Sequence, residues 1–402
     1  MRGRSVVPRE PSIFVATKEE ITNGEASDIY FKRTQEVLRF ANLSNVKVRM
    51  EVHLYSNPPE GDWAVYAGLE EALAILKDKP FTVYSVPEGT VFRRKTPLML
   101  IEAPYEAFAP FEAPVLGVLR FESSIATKSA RIRVAAGDKL YLFFGLRALH
   151  PAVFPAADRA AFIGGADSVS GILSEKYLGL TPQGTMPHAL IITVGDQKKA
   201  WQLFAELYGN KINIVALADT FDDERIEALT AAELLKEKLW GIRLDTPSSR
   251  RGNMHDIVEE VKWTLKLHGY DNVKVIVSGG LDEQEIAELR DVADGFGVGT
   301  SVAMPKSVDL SMDIVEVDRG NGWEPISKRG KMPGAKMVYS CGALKHHVVP
   351  WSAEPPTCDD GRRATPLLVK YLDNGKLVRD LPSLGEIRSY VISQLKELKL
   401  LQ

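Results

Sequence analysis

Residues 274–300 read KVIVSGGLDEQEIAELRDVADGFGVGT. The stretch opens as an apolar strand over 274–277 and turns on Ser278-Gly279-Gly280. It continues as a helix over 283–291 and returns to a second apolar run over 292–296, which ends on Gly297-Val298-Gly299-Thr300. A strand, a helix and a second strand in about 30 residues form a β–α–β unit with parallel strands. The same rhythm extends back along the chain. Apolar runs at 139–143, 161–163, 177–180, 212–217 and 239–244 are separated by helical patterns that include 198–208, 222–238 and 256–268. Repeated units of this length predict an α/β fold built on a TIM-like β/α barrel of about seven strands, complete or incomplete. A doubly wound open sheet is the runner-up.

The flanks differ. Residues 46–54, VKVRMEVHL, alternate at period two, and residues 68–76, GLEEALAIL, have helical spacing. Further strands are expected at 81–86 and 98–102, and the proline-rich stretch APYEAFAPFEAP at 103–114 reads as a linker. Residues 1–118 are therefore expected to form an N-terminal α+β domain, 119–300 the barrel and 301–402 a small C-terminal region packing on the N-terminal domain. In that last part 313–318 and 337–340 read as strands. Residues 384–400 read as a closing amphipathic helix, with Ile387, Val391, Leu395 and Leu398 on one stripe.

The 402 residues carry 50 Lys+Arg against 53 Asp+Glu, a near balance that argues against a nucleic-acid or membrane-surface partner. Residues 1–10 are basic but lack the apolar stretch of a signal peptide, and no apolar run reaches the ~18 residues of a membrane span. Only two cysteines occur, Cys341 and Cys358. That number excludes a disulfide framework and fits a cytoplasmic location.

In a β/α barrel the active site lies at the C-terminal ends of the strands. Each apolar run here gives way to polar or glycine-rich residues: Phe144-Gly145-Leu146-Arg147, then Asp167-Ser168, then TPQGTMPH ending in His188, then Asp219-Thr220, then Arg243-Leu244-Asp245, then Ser278-Gly279-Gly280, and last Gly297 to Thr300. Glycine turns after the last strands let backbone N–H groups approach a phosphate. Carboxylates beside such a site suit Mg²⁺ or ribose hydroxyls. Singly each residue has a blander reading: an Asp after a strand is often a helix N-cap. Arg131, Arg133, Arg147, Arg243, Arg250 and Arg251 are further candidates for phosphate recognition.

Taken in order, these motifs resemble the type II phosphoribosyltransferases, and most closely the archaeal-type nicotinate branch. DIYFKRT at 28–34, EAPVLGVLRFESSIATKSARIR at 112–133, FGLR at 144–147, GTMPH at 184–188 and KRGKMPGAKMVYS at 328–340 carry the resemblance. It implies transfer of a phosphoribosyl group from phosphoribosyl pyrophosphate to nicotinate in NAD biosynthesis, with Mg²⁺ and a coupling to ATP through His188. It implies that Phe144 stacks on the pyridine and that Tyr30 covers the other face from a neighbouring subunit of a homo-oligomer, a dimer or an assembly of dimers. Asp167 and Ser168 would face the ring substituent. Arg147 would lie near base and pyrophosphate, Arg243 on phosphate, Asp245 on the ribose hydroxyls and Asp219 in support. Ser278, Gly279, Gly280, Gly297, Gly299 and Thr300 would hold the 5′-phosphate. Relatives carry a zinc knuckle near the C-terminus. Here only Cys341, His346, His347 and Cys358 remain, without paired C-x₂-C spacing, so a mixed zinc site or a plain loop is expected. Quinolinate as the base, a sugar-phosphate barrel enzyme and a non-catalytic phosphoribosyl pyrophosphate sensor are the alternatives.

Overall fold

The computed structural model describes residues 11–401, so the basic segment 1–10 lies outside the described residues. Six strands form one parallel sheet: Leu140–Phe143, Ser168–Val169, Ile214–Leu217, Leu239–Leu244, Lys274–Ser278 and Gly295–Val298. Taking them as first to sixth, the spatial order is second, first, sixth, fifth, fourth, third. The second and third strands are the outer edges and do not pair, so the sheet is a curled half-barrel of six strands, where the sequence predicts about seven.

The difference lies in two short apolar runs. Residues 161–163 end the helix Phe154–Ile163, and residues 177–178 end the helix Leu173–Leu178. The intervening strand has only two residues, too few for a period-two signal. Runs of three or four apolar residues carry no period of their own: the first of these packs its helix into the barrel core, and in the second Tyr177 is exposed.

Around this sheet the chain closes a second layer. Seven antiparallel strands lie in the order Trp323–Pro325, Ser311–Asp318, Lys47–His53, Met99–Pro104, Thr82–Ser85, Val369–Asp373 and Lys376–Leu377. The C-terminal region therefore contributes four strands to the N-terminal sheet. Its last helix, Leu384–Glu397, returns to the barrel core through Ile387, Val391 and Leu395. Leu398, the fourth residue of the expected stripe, is the C-cap.

The proline-rich stretch expected as a linker is helical instead. Tyr105–Phe108 and Ala109–Phe111 run directly into the 25-residue helix Glu112–Ala136. Proline is tolerated in the first turn of a helix, where its missing N–H has no partner to lose. Val115 and Leu119 pack in the N-terminal core, and Ile125, Ala126, Ala130 and Ile132 in the barrel core. The boundary expected at residue 118 thus falls inside one continuous helix.

The expected zinc set is also corrected. Cys341 and Cys358 form a disulfide with Cα atoms 5.7 Å apart, leaving no thiolate for a metal. It staples the small sheet of Lys336–Ser340, His346–Pro350 and Thr365–Pro366. His346 and His347 are adjacent on one strand and point to opposite faces. Among the described residues, one group of three potential metal ligands has its ligand atoms within 4.8 Å of one another, His255, Asp256 and Glu259, on the helix Met254–Leu267. No helix among the described residues is long and apolar enough to cross a membrane.

A buried polar pair marks the middle of the seven-stranded sheet. His53 Nε2 lies 2.8 Å from Asp313 Oδ2, and Lys328 and Lys331 reach the same carboxylate at 2.8 and 2.9 Å. Burial pushes the Asp313 pKa up, but the two lysines outweigh it and hold the carboxyl ionised below its ordinary range. Burial pushes His53 down to about 4, so a neutral ring donates its Nε2 proton to Asp313. Below the ordinary histidine value of 6.5 the unfolded chain binds a proton that the folded chain does not. Stability from this site is therefore full above pH 6.5 and is lost as pH falls toward 4, by roughly 2 kcal/mol between pH 7 and pH 5. In His53→Gln, which keeps an N–H donor without a titrating ring, the melting temperature should fall less than in the wild type over that interval. Equal falls in the two proteins would show that His53 is not the group responsible.

Candidate functional site

All six strands of the parallel sheet point their C-terminal ends toward one side, and a cavity of about 790 Å³ opens there. Its lining includes Phe144 and Arg147 after the first strand, His188 at the start of the helix His188–Val194, and Arg243 and Asp245 from the end of the fourth strand. Ser278, Gly279 and Gly280 come from the fifth, with Gly297, Gly299 and Thr300 from the sixth. Eleven of the sequence-derived site residues thus meet around one space.

Two glycines are dictated by close approach. A Cβ on Gly297 would stand 2.6 Å from the Phe144 ring, so the absent side chain is what lets that ring lie over the sheet end. Gly279 has φ +93° and faces Asp245, whose Oδ1 would be 3.1 Å from a Cβ. Any other residue there is strained twice over.

Electrostatics centre on Arg243. Its Nη2 donates to Met186 O at 3.1 Å and its Nη1 to Ser278 Oγ at 3.4 Å. The carboxylate of Asp245 stands off at 3.9 Å, and the buried Nε has no partner among the described residues. Burial pushes the Arg243 pKa down, opposed by Asp245 and Asp219 and assisted by Arg147. A guanidinium this under-partnered is poised for an incoming anion with several oxygens. Asp245 itself is oriented by Ser278 Oγ, which donates to Oδ1 at 2.7 Å.

Asp219 lies behind the wall. Burial raises its pKa, and three groups oppose that rise. The amide of Asp245 donates to Oδ2 at 2.6 Å, the Thr246 hydroxyl lies 3.1 Å from Oδ2, and His188 Nε2 lies 3.1 Å from Oδ1. Its supporting position therefore has a physical form: one carboxylate ties the end of the fourth strand to the histidine on the opposite lip.

Three expected residues are elsewhere. Asp167 is not in the lining. Its carboxylate accepts from the amide of Tyr141 at 2.8 Å and pairs with Arg133 at 3.3 Å and Arg388 at 2.8 Å, so it braces the start of the first strand. Ser168 is buried within the second strand, with its hydroxyl 3.5 Å from Val169 O. The residue that does reach the cavity here is Ser170, directly after this strand. Tyr30 is 55% exposed on the helix Ile29–Phe40 and does not line the cavity of its own chain. Of the other arginines, Arg131 binds the carbonyls of Pro59 and Trp63, Arg133 binds Asp167, and Arg250 is exposed. Arg251 donates to Thr246 O at 3.4 Å.

Sequence reasoning does not single out Ser170, Thr185, Met186, Asp282 and Ser301, which also line the cavity. Thr185 and Met186 lie inside the GTMPH motif, and Asp282 carries the capping-box signature with Glu285. Ser170 has no signal, because its strand is too short to be recognised.

Arg243→Ala should weaken binding of inorganic pyrophosphate by about 10- to 100-fold, the range for a hydrogen-bonded charge. Titration calorimetry at fixed ionic strength measures it, and unchanged affinity in the folded variant would remove Arg243 from anion recognition.

Known proteins agree with this architecture. Residues 28–123 match the quinolinate phosphoribosyl transferase N-terminal domain, residues 125–313 its C-terminal domain, and residues 345–400 the nicotinate phosphoribosyltransferase C-terminal domain. A nicotinate phosphoribosyltransferase of Bacillus subtilis is 29% identical over 69% of the chain, and the match spans 62% of that relative's length, just under two thirds. One from Mycobacterium tuberculosis is 28% identical over 94% of the chain and 84% of its own. The crystal structure of a nicotinate-nucleotide pyrophosphorylase from Pyrococcus furiosus superposes with a TM-score of 0.93 at 46% identity, covering 97% of this chain and 99% of that one. With three domain matches in register and a solved relative aligned almost end to end, the chain belongs to the type II phosphoribosyltransferase family.

Proposed function

We propose that this protein is a nicotinate phosphoribosyltransferase, forming nicotinate mononucleotide and pyrophosphate from nicotinate and phosphoribosyl pyrophosphate. The observation that carries the reading is the single cavity in which Phe144, Arg243, Asp245 and two glycine turns converge. A flat heterocycle stacks on Phe144. The glycine turns at Gly279-Gly280 and Gly297-Val298-Gly299 take the 5′-phosphate, Asp245 the ribose hydroxyls, and Arg243 with Arg147 the pyrophosphate. The pyridine nitrogen displaces pyrophosphate at the anomeric carbon. Positive charge grows on the sugar while negative charge grows on the leaving group, and the arginines are fixed in advance for the second.

The domain match at residues 345–400 and the names of the curated relatives favour nicotinate over quinolinate. The Pyrococcus relative is described as a nicotinate-nucleotide pyrophosphorylase, so quinolinate remains the comparison substrate. The lining also favours the monoacid, since among the described residues Arg147 and Arg243 are its only arginines and it contains no lysine. Asp245 or Asp282 would be the carboxylates to hold Mg²⁺, which would supply neutralisation of charge on the leaving group. Asp219 does not fit that task, because its oxygens are engaged inside the wall. ATP coupling through His188 and a Tyr30 supplied across a subunit boundary complete the reading. The exposure of Tyr30 and its absence from the lining of its own chain's cavity support the latter.

Incubation with phosphoribosyl pyrophosphate, Mg²⁺ and nicotinate, with quinolinate and nicotinamide in parallel and each with and without ATP, should give nicotinate mononucleotide fastest from nicotinate. Faster product formation from quinolinate, with release of carbon dioxide, would reverse the substrate assignment. Asp245→Ala should lower kcat about 100-fold or more, in line with removal of one oriented polar group from such a site.

A further inference from the structure

Glu227 is a buried carboxylate with no cationic partner among the described residues and no place in the cavity lining. Its oxygens accept four hydrogen bonds. The consecutive backbone amides of Thr220, Phe221 and Asp222 donate at 2.9, 2.8 and 2.7 Å, and Gln197 Nε2 donates at 2.5 Å. Burying an ionised carboxylate is costly unless its lone pairs are filled, and here they are filled largely by one stretch of backbone.

This arrangement is not required by the helix that carries it. Glu224–Leu235 is already capped by Asp223, whose side chain accepts from the amide of Arg225. The three amides held by Glu227 precede that cap. They belong to the turn that leaves the third strand, and the residue immediately before them is Asp219. Three successive amides bound to one carboxylate fix the dihedral angles of the turn, and hence the direction in which Asp219 leaves it. Asp219 in turn holds the amide of Asp245 at 2.6 Å and His188 Nε2 at 3.1 Å.

We infer that Glu227 is a positioning residue for the transferase site: it sets the turn 220–222 so that Asp219 can fix both Asp245 and His188. The role is indirect, since Glu227 touches none of the substrate-facing groups. The kinetic part of its test rests on the transferase reading, and the structural part does not.

The decisive variant is Glu227→Gln, nearly isosteric but with an amide nitrogen in place of one acceptor. Hydrogen–deuterium exchange resolved to single amides should show Thr220–Asp222 exchanging at least about tenfold faster. The amide of Asp245, on a different strand and bound to Asp219 alone, should do the same. A variant that loses protection at 220–222 while Asp245 keeps it overturns the inference, because the turn would then be merely capped. Kinetically, Glu227→Gln should lower kcat for nicotinate about 100-fold, the scale expected for misplacement of about 1 Å, with a much smaller change in KM. In an Asp219→Ala background it should cost almost nothing further, whereas a purely structural role would give the same factor again. Should Glu227→Gln not fold, Glu227→Asp keeps the charge but withdraws it by one methylene, and the exchange comparison at Asp245 decides in the same way. If the wild-type chain makes no nicotinate mononucleotide, the functional reading falls, while the exchange result at Asp245 still stands or overturns this inference by itself.

Discussion

The helix Glu112–Ala136 has to be buried in two cores at once, and the arrangement of everything else depends on that. At ~1.5 Å per residue it is about 37 Å long, enough to run from the antiparallel sheet to the half-barrel. Its polar side chains are consumed on the way. Ser123 and Thr127 donate hydrogen bonds to or accept them from the Ala67 and Val65 backbone, Glu122 accepts from Arg159, and Lys128 reaches Glu60 and Glu283. Glu283 directly follows Asp282 of the cavity lining, so the segment that carries Gly279 and Gly280 is tied to this helix. A rigid rod with fixed partners at both ends leaves little freedom for the two layers to slide.

The site shows how such a frame is converted into chemistry. Side chains that face the cavity, Arg243 above all, are under-satisfied, and those behind it are saturated. Asp219 and Glu227 form two successive layers of support: Asp219 takes one backbone amide, a hydroxyl and a histidine, and Glu227 takes three backbone amides and a glutamine side chain. The guanidinium of Arg243 keeps its Nε without a partner among the described residues, while its neighbours Asp245 and Asp219 are held by hydrogen bonds.

Much of this is legible in the sequence, for reasons that can be named. Strands 214–217, 239–244, 274–278 and 295–298 each overlap an apolar run that soon gives way to glycine or a charged residue, and eleven of the residues placed at strand ends do line the cavity. The features that escape are short or non-local. The two-residue strand Ser168–Val169 has no period, so Asp167 reads as a cavity residue while its true partners, Arg133 and Arg388, lie far away in sequence. The helical content of 103–114 is hidden by prolines that are harmless in first turns. The Cys341–Cys358 bond and the support from Glu227 are matters of three-dimensional proximity, and no spacing rule points to them.

The central antiparallel sheet has one more implication, for the life of the chain before it is folded. Lys47–His53 is flanked on one side by Met99–Pro104 and on the other by Ser311–Asp318. A nascent chain can form the first pairing early, but the second must wait until more than half of the remaining polypeptide has been synthesised. During that interval one edge of a strand rich in buried residues stands open, the geometry that invites pairing with a neighbouring chain. Loop closure over so many residues also makes folding slow relative to the local β–α units of the half-barrel. The half-barrel is therefore expected to assemble first and the N-terminal sheet last, so that a chaperone with affinity for unpaired strand edges would find its target in the oldest part of the emerging protein.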